Sequence, residues 1–208
     1  MSELSNKEKG LASAYNMYLS DFLSADPENT AKLSGCVYEH ENSRIMLKYI
    51  NENYFINTKT GDISCENKNS IKSTIKTLLL GYLVTAKGQK ETGEYIKFRD
   101  IHGAAQYEEP FNSRTINPMV KSFSKRPDDF MKIGKMLGGI EKEIADIAIE
   151  IQILPLLKVT YGLYFEDEEF PAEGVILFDL SAKRLCTVEI IVVAASDPIY
   201  EMLGILYK

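Results

Sequence analysis

Residues 146–179 read DIAIEIQILPLLKVTYGLYFEDEEFPAEGVILFD, and the fold class turns on how this stretch divides. Residues 146–154 and 157–165 are rich in β-branched and aromatic side chains, which suit a half-buried pleated surface, and Pro155 separates them. Residues 174–178 supply a third short strand. Between the second and third lie Glu166, Asp167, Glu168 and Glu169, followed by Phe170 and Pro171. Four adjacent carboxylates cannot all be buried, nor all ionise cheaply at close range, so they are solvated, paired with cations or partly protonated. The cluster is either a polar loop or a site.

Upstream of this β section the period changes twice. Ser5 and Glu8 form a capping-box pair ahead of Leu11, Ala14, Tyr15, Tyr18, Leu19 and Phe22, an apolar helical face that ends near Ser24. Asp26 and Pro27 open a short helix that Gly35 closes. Residues 44–65 alternate instead: Ile45, Leu47 and Tyr49, then a run over 54–57, then the turn residues Thr60, Gly61 and Asp62, which predicts a small antiparallel meander. Ser70 opens the clearest helix, with Ile71, Ile75, Leu78, Leu79, Tyr82 and Leu83 as its stripe and Gly88 as its end. Residues 95–98 form a short strand, and Gly103, Pro110 and Pro118 leave 101–117 unassigned. Asn117 and Pro118 cap a helix to Phe123, and Pro127 starts another that runs to Gly138. Asp197 and Pro198 begin a final amphipathic helix through Ile199, Met202, Leu203 and Leu206, while 188–195 has the local propensity of a strand. The expected architecture is α+β. It is one compact domain over 1–208 with a small meander, a central helical section and a C-terminal antiparallel β section flanked by helices, and any lobe boundary falls near 138–145.

The totals fit that reading. A chain of 208 residues buries enough surface for a core without staples, and 45% apolar with 26% charged residues is ordinary for a globular protein. The net charge of −6 argues against nucleic acid and anionic membrane as partners. Lys121, Lys125, Arg126, Lys132 and Lys135 form one basic stripe, but without interleaved aromatics it reads as a solvated helix face. Cys36, Cys65 and Cys186 are odd in number and far apart, so no disulfide framework, zinc site or iron–sulphur cluster is expected, and Cys186 reads as a buried thiol. Neither a signal peptide at residues 1–10 nor a membrane span is apparent, which places the chain in the cytoplasm by expectation.

Several short stretches occur together: YIKFRDI over 95–101, Gly103, Phe111, Asp146, Leu154-Pro155, DEEFPA over 167–172 and ILFD over 176–179. In this combination the chain resembles an uncharacterised family of anaerobic bacteria and archaea, domain of unknown function three-seven-eight-six, over about residues 4–206. The resemblance names no activity. Some members resemble two-part proteins with a cysteine-rich iron–sulphur module ahead of this domain, which implies a redox or corrinoid-related setting. It also implies a helix over 188–195, against the local propensity. Ala145 and Lys158 stand where the family pattern has a glycine and a second proline, which counts against a functional loop around Pro155.

Within this frame the candidate catalytic residues are Asp167, Glu168 and Glu169, which supply general acid–base chemistry if one of them is desolvated. Three adjacent acids lack the spaced ligands and glycine of a calcium loop, so no metal site is expected. The candidate ligand-binding residues are Arg99, Asp100, His102, Tyr107 and Asp179. Arg99, Asp100 and His102 sit where a strand passes into a loop, and Arg99 paired with Asp167 or Glu169 would hold that carboxylate ionised. His40 and His102, the two histidines, are too far apart in sequence to read as a metal pair. No P-loop, G-x-G-x-x-G, G-x-S-x-G or H-E-x-x-H motif is present. Three functional readings follow: a non-catalytic accessory domain that binds a small molecule, cofactor or protein partner; an enzyme using carboxylate acid–base chemistry; or a homo-oligomer built through exposed aromatics such as Tyr161 and Tyr164. No cofactor is predicted.

Overall fold

The computed structural model describes residues 6–208. The capping pair Ser5 and Glu8 cannot be placed because Ser5 lies outside the described residues, whereas the stripe it was to introduce is in place. Helix α1 (Asn6–Ser24) buries Tyr18 and Phe22 and half-buries Leu11, Ala14, Tyr15 and Leu19. Helix α2 (Pro27–Ser34) begins as its sequence dictates: the Asp26 carboxylate accepts the Asn29 N–H at 2.8 Å, Pro27 fills the first turn, and Gly35 closes it at φ 68°.

Four antiparallel strands follow in sequential order: β1 (Val37–Glu39), β2 (Arg44–Tyr49), β3 (Glu52–Asn57) and β4 (Ile63–Cys65). The predicted meander is there, with β1 added at its edge. Between β2 and β3 the chain turns on Ile50 and Asn51, with Ile50 at φ 53°, a backbone region that a β-branched residue occupies only under strain. Contacts with the C-terminal half hold that turn in place. The Ile50 N–H donates to the Ile153 carbonyl at 2.9 Å, its side chain is buried, and the Asn51 amide donates to the Met136 carbonyl at 2.9 Å.

Helix α3 (Ser73–Thr85) begins at Lys72 as its cap residue, later than the expected Ser70. It is buried on more than one face, since Thr77, Leu80 and Gly81 are as enclosed as the predicted stripe. Helices α1 and α2 pack against it, as does α7 (Val188–Leu206). A Cβ at Gly81 would lie 2.5 Å from Ile190 Cδ1 and 2.9 Å from the Tyr18 ring, so this glycine sets how closely the helices cross.

The helical section contains α4 (Glu108–Arg114), α5 (Ile116–Phe123) and α6 (Pro127–Met136). Two boundaries differ from expectation for one reason. Pro110 and Pro118 are the third residues of α4 and α5, where a helix has no use for the N–H that proline lacks. Neither proline therefore breaks a helix, and Thr115, not Asn117, occupies the cap position of α5. Similarly, α7 is one helix with Asp197 and Pro198 inside it, so this pair is not the start of an element and 188–195 is helical. The interior proline removes one hydrogen bond from the ladder. In that turn the buried Tyr161 hydroxyl donates to the Ala195 carbonyl at 3.0 Å. Tyr161 is thus fully buried and unavailable as an exposed oligomer contact, whereas Tyr164 is exposed.

The second sheet is antiparallel in the order β5-β9-β8-β7-β6, from β5 (Tyr95–Lys97), β6 (Ile140–Glu141), β7 (Ile147–Leu154), β8 (Leu157–Tyr164) and β9 (Glu173–Asp179). Ile149, Ile151, Val159, Tyr161, Leu163, Ile176 and Phe178 enter the core, which is continuous with that of the meander and helices. The opposite face carries Glu150 beside its register partner Thr160. Its carboxylate is served by Lys142 at 3.1 Å, Tyr95 at 3.2 Å and Thr160 at 3.3 Å, which accounts for a buried charge in mid-sheet.

Candidate functional site

Of the residues singled out from sequence, Arg99, Asp100, His102 and Tyr107 lie in neighbouring short helical turns, and Asp100, Asp167 and Asp179 each hold a turn together. Asp167 accepts the N–H groups of Glu169 at 2.8 Å and Phe170 at 2.7 Å, which closes a turn and holds its carboxyl below the ordinary value. Glu168 and Glu169 are exposed, and Glu166 reaches Lys125 at 3.5 Å. Arg99 faces Glu108 at 3.9 Å, so its ion pair is local and not with the acidic loop. Asp100 accepts the Lys97 N–H at 2.9 Å in the turn after β5, and His102 and Tyr107 are exposed.

Asp179 has the most partners of the set. It accepts N–H groups from Thr92 at 3.0 Å, Gly93 at 2.7 Å and Ser181 at 2.8 Å, and the Thr92 hydroxyl at 3.0 Å. Burial pushes its carboxyl up, but these hydrogen bonds outweigh burial and hold it down at about 2. A depressed carboxyl stabilises the fold above its unfolded value and ceases to do so as pH falls through its folded value. Asp179→Ala is therefore expected to cost about 0.5–2 kcal/mol above pH ~5, the range for losing a cap. That gap should narrow between pH ~4 and ~2 when urea midpoints are compared across a pH series. A gap that does not change with pH would detach these hydrogen bonds from the charge.

A different set of side chains converges. Tyr49 ends β2 and Tyr54 lies in β3 on the same face, their rings edge-on with centroids 6.0 Å apart. After β4 the chain doubles back, bridging Cys65 to Lys68, with the Asn67 amide donating to Glu52 at 2.8 Å. This turn sets the Lys68 ammonium 3.5 Å from the Tyr54 hydroxyl and 6.0 Å from the centre of its ring. From α7, Asp197 and Glu201 project four residues apart and so on one face. The Tyr49 hydroxyl donates to Asp197 at 2.8 Å, and Lys72 approaches the same carboxylate at 3.9 Å. Together with Ser70, Ile71, Ile75 and Tyr200 they line a cavity of about 270 Å³.

Electrostatics make this cavity a set of fixed donors facing acceptors. Burial pushes the Tyr49 phenol well above its ordinary value, and the Asp197 charge adds to the effect. Burial also raises Tyr54, against the pull of Lys68. Both phenols stay protonated at neutral pH: Tyr49 donates to Asp197, whereas Tyr54 accepts from the Lys68 ammonium. Partial desolvation raises the Glu201 carboxyl, with Lys68 opposing it. Lys68 is raised despite its own desolvation, because Tyr54, Glu201 and Glu52 favour its charge. The thiols differ: burial lifts Cys36 to about 11 and Cys186 to about 12, which leaves both inert as nucleophiles. Among the described residues no cluster of three or more His, Cys, Asp or Glu could hold a metal, and no helix is long and apolar enough to cross a membrane.

The family model described as domain of unknown function DUF3786 matches residues 26–199. The chain belongs to this family. No curated protein and no solved structure matches it. The DUF3786 match takes in Tyr49, Tyr54, Lys68, Lys72 and Asp197, while Tyr200 and Glu201 follow directly after it. Sequence reading missed this site because its residues come from β2, β3, the 66–72 loop, α3 and α7. One signal was present: Asp197 and Glu201 are, with Glu189, the sole charged residues of the 19-residue α7.

Proposed function

We propose that this DUF3786 domain is a non-catalytic binding domain for a small zwitterionic molecule, held between the meander sheet and α7. The observation that carries the reading is the convergence of Lys68, Lys72, Asp197 and Glu201 on one cavity, with Lys72–Asp197 at 3.9 Å and Lys68, among the described residues, in no ion pair and 3.5 Å from the Tyr54 hydroxyl. Ammonium and carboxylate groups this loosely paired retain hydrogen-bonding capacity for a ligand of both signs. Tyr49 already donates to one oxygen of Asp197 and fixes its orientation, while Ile71 and Ile75 offer an apolar wall. At about 270 Å³ the cavity lies just below the range of drug-sized pockets and fits something of amino-acid size. With both phenols held protonated, neither Tyr49 nor Tyr54 acts as a base on a molecule in this cavity. We place the domain as a cytoplasmic accessory module, in the anaerobic setting that the family resemblance implies.

A thermal-shift series with free amino acids and glycylglycine tests this. A ligand at about 100 times its Kd adds about 2.7 kcal/mol, or roughly 5–10 °C for a domain of this size. The rise should vanish in both Lys68→Ala and Glu201→Gln, with the ligand recovered unchanged by NMR. No rise for any member of the panel sinks the reading, and turnover of the ligand replaces it with an enzyme.

A further inference from the structure

We infer a second and separate site, a groove for a small polyanion bearing phosphate-like groups, on the side of the molecule where residues 87–94 cross the end of β9. Two depressions of about 330 and 350 Å³ share Gln89, Lys90 and Ser181 and so form one continuous groove. None of its lining residues belongs to the cavity beside α7.

Five of the fifteen residues lining the groove are Lys or Arg, against 24 of 208 in a chain whose net charge is −6. These five are Lys32 from α2, Lys90, Lys158 from β8, Lys183 and Arg184. Two carboxylates stand against them, and both are committed. Glu91 holds Lys158 at 2.7 Å, and Asp179 is filled by backbone N–H groups and the Thr92 hydroxyl. Among the described residues, Lys32, Lys90, Lys183 and Arg184 have no ion-pair partner. These four cationic side chains therefore keep their hydrogen-bonding capacity for a bound anion.

The backbone under these cations is built, not loose. Gly88 N–H donates to the Leu33 carbonyl at 2.8 Å, the Gln89 amide to the Arg184 carbonyl at 2.5 Å, and Thr92 and Gly93 to Asp179. The crossing segment is therefore tied to α2, to the turn after β9 and, through Glu91, to β8. By contrast, two cations of the basic stripe at 121–135 are paired, Lys125 with Glu166 at 3.5 Å and Lys135 with Glu141 at 3.0 Å. An extended nucleic acid fits the groove poorly. Its lining has no aromatic to stack on a base, and the net negative chain repels a long polyanion beyond the groove.

Isothermal titration with inorganic tripolyphosphate at low ionic strength tests the assignment, with folding of each variant verified by circular dichroism. The expected result is saturable binding that weakens as salt is added. Affinity should fall at least tenfold in the double variant Lys90→Ala/Lys183→Ala and hold in Lys125→Ala/Lys132→Ala. Lys68→Ala should bind tripolyphosphate like the parent, which separates this groove from the cavity beside α7. Absence of saturable binding, or an equal loss in the two double variants, overturns the proposal.

Discussion

Replacing Leu79 with alanine is expected to lower stability by about 2–5 kcal/mol, the range for truncating a buried leucine. Leu79 has no solvent exposure and lies midway along α3, the helix enclosed by α1, α2 and α7. A void there cannot be refilled without moving one of three packed helices, which pushes the cost above the transfer of the lost methyl groups alone. Lys76, one turn earlier and half-exposed, is the control, and Lys76→Ala should stay within about 0.5 kcal/mol. Urea midpoints at constant slope decide between them. Equal losses for the two variants would mean that α3 is not the centre of the core.

Tyr82→Phe is expected to cost about 2–4 kcal/mol although it removes one oxygen atom, because two backbone groups then lose a buried partner. The Tyr82 hydroxyl donates to the Ser34 carbonyl at 2.6 Å and accepts the Leu156 N–H at 3.0 Å, and the side chain is fully buried. It links α3 to the end of α2 and to the turn between β7 and β8. Burial raises the phenol far from any physiological titration, so it serves as a fixed connector. Tyr18→Phe is the comparison: its hydroxyl meets Thr187 at 3.4 Å, a weak contact worth about 0.5 kcal/mol. Amide exchange should show the Leu156 N–H losing protection in Tyr82→Phe alone. Unchanged protection there would remove the connector role.

How far these features were legible depends on whether the deciding interaction is local. Asp26, Pro27 and Gly35 act within one short helix, and the stripe from Leu11 to Phe22 is a property of one helix face, so both could be read directly. The strands flanking Pro155 carry their own β-branched signal. Pro110, Pro118 and Pro198 misled for a positional reason: the same residue is harmless in a first turn, tolerated inside α7 where Tyr161 supports the turn, and a terminator elsewhere. For the candidate site, the sequence drew attention to Asp167, whose carboxylate serves its own turn, and to Asp179, which anchors a neighbouring segment. Lys68 and Glu201 line one cavity because the fold brings the 66–72 loop to α7, a fact of tertiary structure with no counterpart in spacing. Arg99 and the acidic loop had complementary charge in sequence, but charge does not encode proximity, and Arg99 found Glu108 nine residues away.

The lengths of the outermost strands carry a consequence for the life of this chain at high concentration. The long strands, β7 and β8 with eight residues each, lie inside their sheet, whereas the four strands at the borders have three, three, three and two residues in β1, β4, β5 and β6. A row of free amides and carbonyls recruits another chain in proportion to its length, and short borders leave a stray strand too little to align against. Short borders thus lower the tendency of the two open antiparallel sheets to pair edge to edge with another copy.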